Sequence, residues 1–175
     1  MSNDTLVTGE RADLLTTLAQ HRQFLRSTAR DLDDDQATRR TTVSELTIAG
    51  VIKHVAAQEA HWAAFMVHGP SPADDFAAMT EEDMARRTDE FRLLPGETLA
   101  GVLEHYTQVA ARTDDLIRTP PDLNAAHPLP KAPWFAPDAQ WSARQVLLHV
   151  LAETAQHAGH ADIIREALDG AKTMG

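Results

Sequence analysis

Cysteine is absent from the chain, so no disulfide, thiolate metal site or cysteine nucleophile can be built from its own residues. Aromatic residues make up only 5% of the 175, while alanine and leucine are abundant, a balance that favours helix over strand. No apolar run approaches the roughly 20 residues that span a bilayer, so no membrane partner is expected. Positive charge is scarce as well. Lys and Arg number 16 against 26 Asp and Glu, the net charge is −10, and the basic residues form no cluster, which argues against a nucleic-acid partner. The opening stretch MSNDTLVTGERADLL has no basic segment followed by an apolar one. The expectation is therefore a cytoplasmic protein without a signal peptide.

What is present is enough for a core. Hydrophobic residues make up 43% of the chain, and its length fits a single domain over residues 1–175. Four segments carry apolar residues at helical spacing. The first runs from about Glu10 to Leu32, with Leu14, Leu18, Leu25 and Leu32 on its stripe. The second runs from about Ser44 to His68 and stops at Gly69-Pro70; the third runs from about Glu97 to Arg118 and stops at Pro120-Pro121. The fourth opens at Ser142, where Gln145 completes a capping-box pattern, and ends near Gly170. A short polar link joins the first two. Long connections follow the second and third, the former with room for a short helix around Thr80 to Arg87. Four amphipathic helices predict an all-α four-helix bundle, and its two long loops are candidates for lids or binding loops.

The nine histidines matter by position more than by number. In the fourth helix, VLLHVLAETAQHAGHAD, Glu153 and His157 fall within about 20° of the line through Val146 and Ile164. A carboxylate and an imidazole thus sit in the middle of the stripe that should face the core. A lone buried carboxylate must be neutralised, paired or bound to a metal. Residues four apart on a helix can converge on one ion, and Glu with His is a normal zinc donor set. His160 lies near the same stripe and His149 at its edge, and periodicity does not choose among the four. A further ligand must come from a facing helix. His54, Gln58 and His61 in the second helix are candidates, although His54 lies off the centre of the stripe marked by Ile52, Val55 and Trp62. The competing reading pairs Glu153 with an arginine or lysine and leaves His157 as a hydrogen-bonded core histidine. His21, His68, His105 and His127 read as surface or boundary residues, Asp33-Asp34-Asp35 as a solvated helix end, and Trp62, Trp134 and Trp141 as packing residues.

At these positions the chain resembles the DinB-like superfamily, in its mycothiol-transferase-type branch, related to the N-terminal domain of mycothiol-dependent maleylpyruvate isomerase. VIKHVAAQEAHW in the second helix is similar to an apolar-apolar-x-His-apolar-x-x-x-Glu pattern, and ETAQHAGHADIIREALDG is similar to a Glu-Thr-Ala-Arg-His-x-Gly-His-Ala-Asp signature before a closing Asp-Gly. Gln156 stands where that signature has Arg. The resemblance implies a DinB-like antiparallel bundle holding a divalent metal, zinc before nickel, iron or manganese, on His54, Glu153 and His157. It also implies a low-molecular-weight thiol such as mycothiol and a small-molecule electrophile as partners, in a metal-dependent S-transfer or isomerisation. Some relatives form helix-pair homodimers. His160 is a candidate orienting residue or proton shuttle; Glu59 and Asp162 are weighed for similar supporting roles, and Arg165 for binding an acidic substrate group. A non-catalytic metal or ligand binder and a metal-dependent hydrolase are the competing functions.

Overall fold

The computed structural model describes residues 7–119 and 122–173. Six helices account for most of it: α1 (Glu10–Ser27), α2 (Asp34–Ala37), α3 (Ile48–His68), α4 (Glu81–Asp89), α5 (Leu99–Arg118) and α6 (Ala143–Asp169). The architecture is the expected all-α bundle, with α1, α3, α5 and α6 as its four long members. The only strands among the described residues are β1 (Ala126–Pro128) and β2 (Gln140–Ser142), a small antiparallel pair in the α5–α6 connection. Pro120-Pro121, read as the stop of the third helix, lies outside the described residues.

Caps set the helix boundaries. Thr47 and Thr98 accept from the amides of Gly50 and Gly101, so α3 begins about four residues and α5 about two residues later than periodicity alone suggests. Ser142 accepts from the Gln145 amide at 3.2 Å, and Gly170 ends α6 at φ 80°, a left-handed turn that glycine adopts without a Cβ clash. The first helix ends at Ser27 rather than near Leu32. The aspartate run does not close it: Asp33 instead caps α2 in a reciprocal box with Gln36, and Asp34 accepts from the Leu99 amide at 2.7 Å. The link between the first two long helices is therefore longer than expected and contains α2.

Helix direction follows from which ends meet. Glu10 pairs with Arg144 at the two starts of α1 and α6, and Arg165 donates to the Thr28 carbonyl where both finish, so these two run parallel. Arg11 donates to Ile117 O and Arg26 to Thr107, which sets α1 antiparallel to α5. Trp62 meets His149, and His54 meets His157, so α3 and α6 are antiparallel as well. The order is up, down, down, up. Because α3 and α5 run the same way, the chain between them must travel back along the bundle. Over 21 residues α3 rises about 32 Å, and the crossover retraces it. Asp74 lies beside His61, Glu90 beside Gln58 and His54, and Arg92 accepts from Lys53 through its carbonyl. The second long connection joins the first where the Phe76 amide donates to Lys131 O at 3.0 Å. Together they roof the α3–α6 groove.

One close approach fixes the crossover's end. A Cβ on Gly50 would lie 1.9 Å from the Phe91 carbonyl oxygen. Gly50→Ala is expected to lower stability by about 1–3 kcal/mol through overpacking and to displace Phe91. A melting curve checks the first effect, and an unchanged melting temperature would contradict the packing.

Candidate metal centre

Polar side chains of α3 and α6 face one another across the groove between these helices. One donor atom each from His54, Glu153 and His157 lies within 4.8 Å of the others. Broad burial of α3 makes this meeting feasible: Ile48, Ala49, Gly50, Val51, Ile52, Val55, Ala56, Glu59 and Trp62 are all buried, so a residue off the centre of the stripe still faces a neighbour. His54 is half-buried, and its ring lies 5.0 Å from that of His157.

Each imidazole is held from behind. Glu90 Oε2 lies 3.2 Å from Nδ1 of His54, and Gln58 donates to the same oxygen at 3.2 Å, while Phe91 stacks on the His54 ring at 3.9 Å. A carboxylate on Nδ1 fixes the proton there and turns the Nε2 lone pair toward the groove. His157 has its Nδ1 3.4 Å from His160 Nδ1 and its Nε2 3.4 Å from Glu153 Oε2. Burial pushes His157 below the ordinary imidazole range, and the charge of His54 pushes the same way against the pull of Glu153. The neutral ring is the form a metal needs. Burial works to raise the Glu90 carboxyl, but hydrogen bonds from His54 and Gln58 outweigh it and hold it below its usual range.

Two imidazoles and a carboxylate are a common donor set for zinc, and neighbouring ligands at bonds of about 2.1 Å stand roughly 3.4 Å apart around a tetrahedral ion. The Glu153–His157 separation matches that spacing. These three residues could hold a divalent ion if the His54 donor, within 4.8 Å of the other two, drew in to the same spacing, and a trio of protein donors would leave a coordination position open.

The other histidines take different parts. His149, one turn before Glu153, packs edge-on to Trp62 at 4.9 Å and tilted against Trp141 at 5.0 Å, and its burial lowers its pKa. His61 faces Asp74 at 3.7 Å. His149, His61 and Gln58 line the adjoining cavity of about 590 Å³ but stand outside the three-donor cluster. His127 packs against Phe65, and His21 against Phe24. The competing arginine pairing exists, but at another glutamate. Arg22 forks onto both carboxylate oxygens of Glu59, which is 1% exposed, and donates to Asp114 at 2.7 Å. Glu59 is thus engaged by Arg22 and stands outside the three-donor cluster. Asp162 accepts from Thr173, and Arg165 pairs with Asp169 and two α1–α2 carbonyls, so both serve to fasten helix ends. Trp62 is a packing residue as expected. Trp134 is 58% exposed and, with Trp62 and Trp141, lines the cavity.

Sequence reasoning missed Glu90, Phe91 and Asp74. They come from the crossover, where no periodicity operates, and only its path along α3 brings them in.

Comparison with known proteins follows the same lines. No curated protein matches the sequence. A crystal structure of a conserved protein from Enterococcus faecalis superposes with a TM-score of 0.70, covering 94% of this chain and all of that one at 11% identity, which shows a shared fold. The family model described as Mycothiol-S-transferase matches residues 13–170, which takes in all six helices but the start of α1 and both histidine-bearing motifs. By that match the chain belongs to the mycothiol S-transferase family.

Proposed function

We propose that this protein transfers the sulfur of a low-molecular-weight thiol, mycothiol or a close equivalent, to a small electrophile, using a divalent ion held by His54, Glu153 and His157. The observation that carries the reading is the convergence of these donors, two of which, His54 and Glu153, line a cavity large enough for small-molecule substrates, in a chain without cysteine. Zinc suits two imidazoles and a carboxylate. When bound, the ion would supply positive charge that favours the thiolate over the thiol near neutral pH.

The residues around it do the rest. Glu90 keeps the proton of His54 on Nδ1, and Phe91 holds the ring plane. His160 faces Nδ1 of His157 and orients that ring in the same way. With both rings fixed, little reorganisation is left for the reaction itself. The thiol proton passes to water at the cavity mouth. The sulfur then forms a bond to the electrophilic carbon, and the leaving group departs with its bonding pair; a conjugated alkene instead takes up a proton as its π bond opens.

Protein made without a histidine tag, zinc-loaded or stripped with a chelator, tests this with mycothiol and a panel of haloarenes and enones. The expected result is conjugate formation at least tenfold faster with metal than without. Absence of metal-dependent turnover with every pair would leave a non-catalytic ligand binder, and metal-dependent hydrolysis of an ester panel would favour the hydrolase. Removal of Glu90 gives a finer check. Glu90→Ala is expected to weaken zinc binding about 10–100-fold, the usual effect of losing a carboxylate behind a histidine ligand; competition with a chromogenic chelator reads it, and unchanged affinity would free His54 from the arrangement.

A further inference from the structure

Two unlike sets of side chains line the cavity beside the candidate metal centre. One is charged and comes from α4 and the residue after it: Asp83, Arg86, Arg87 and Glu90. The other is aromatic: Trp62, Trp134, Phe135 and Trp141. The chain has only nine Phe, Trp and Tyr residues, and all three tryptophans line this one cavity. They are arranged as a continuous surface. Trp62 stacks on Trp141 at 4.9 Å with 27° between planes, and Phe135 meets Trp141 edge-on at 5.6 Å. Phe76 supports Trp134 edge-on at 5.0 Å. His149 closes the deep end against both Trp62 and Trp141, one helical turn from Glu153.

We propose that this aromatic wall is a subsite for a flat, conjugated, apolar electrophile. The assignment rests on the metal-dependent transferase reading and adds the substrate's class to it. Ring faces set 4.5–7 Å apart, offset or edge-on, are the geometry in which aromatic groups attract, and a planar guest extends the series. Trp134 gives the second argument. It is 58% exposed at the cavity, and a guest lying against it removes its indole from water, which the hydrophobic effect rewards. The partition of substrates follows from solvation. A hydroxyl-rich thiol would lose hydrogen bonds against tryptophan without replacement, so it belongs with the charged α4 residues, whereas a conjugated ring loses little against the indoles.

Isothermal titration with 2-naphthol and its saturated counterpart decahydro-2-naphthol tests the wall without any reaction, in both chelator-stripped and zinc-loaded protein. The expected result is at least tenfold tighter binding of 2-naphthol, equal in the two forms. Trp134→Ala, at an exposed position where folding is not at stake, is expected to weaken it at least fivefold, and Trp141→Ala at least tenfold. Equal binding of the two compounds, or binding unmoved by Trp134→Ala, would overturn the proposal. So would a Trp134-dependent affinity for methyl glucoside in place of 2-naphthol, which would make the wall a sugar platform. Failure of the protein to bind zinc would sink the metal reading and leave this result standing, since the stripped protein is measured too.

Discussion

Glu153→Ala combined with His157→Ala is expected to leave the protein without bound metal, while the untagged wild type, purified in zinc-containing medium and dialysed, retains close to one ion per chain. Both side chains lie on α6 within 3.4 Å of each other, and both belong to the three-donor cluster. Losing two of three donors leaves His54 alone, which cannot hold an ion at micromolar concentrations of free metal. Elemental analysis of wild type and variant side by side reads the outcome directly. Equal metal in the two would refute the site. Glu153 is half-buried and His157 only 9% exposed, so the double variant is expected to stay folded with a lowered melting temperature, because truncating a buried ring leaves a cavity. A far-UV spectrum and melting curve of the double variant check this point.

The second large effect concerns stability. Arg22 and Glu59 are 4% and 1% exposed, and the arginine fork also reaches Asp114. Burial works against the charge on Arg22, but Glu59 and Asp114 hold its pKa above the usual value. Removing one member strands the other in the core. Arg22→Ala is therefore expected to cost about 3–5 kcal/mol, which in a chain of this size lowers the melting temperature by roughly 6–20 °C. The apolar pair Arg22→Met with Glu59→Leu should recover most of that loss, since a buried ion pair and well-packed hydrophobic residues of like volume are close in stability. Calorimetry on the three variants measures both claims. A shift below 3 °C for Arg22→Ala would show the pair to be solvated in solution. Metal content should be unchanged in the apolar pair, because Glu59 is engaged by Arg22 and stands outside the three-donor cluster; this separates the two glutamates of the bundle core by experiment.

That separation also shows where the sequence is informative. Two carboxylates, Glu59 and Glu153, lie on apolar faces of facing helices, and periodicity treats them alike. Which of them receives the arginine depends on Arg22 of α1 reaching across the bundle to Glu59 of α3, a contact between residues 37 apart in the chain. The i, i+4 pair on α6 is different. Its spacing places both groups on one face whatever the surroundings, so Glu153 and His157 could be selected from the sequence, and the family motif added His54. The offset of His54 from the α3 stripe is unfavourable only for a narrow stripe; burial on both flanks, from Gly50 against Phe91 to Val55 in the core, removes the difficulty.

The sequence by itself determined the four long helices, through apolar spacing and caps, and the pairing of a carboxylate with an imidazole on the last of them. Those are local properties, set by the 3.6-residue turn and by hydrogen bonds within a few residues of each helix end. Only the tertiary structure decided the up-down-down-up order, and with it the return of the crossover along α3 that brings Glu90 and Phe91 to His54 and gathers three distant tryptophans around one cavity. No local rule encodes that path: it follows from the requirement that two parallel helices be joined by a chain long enough to span their length.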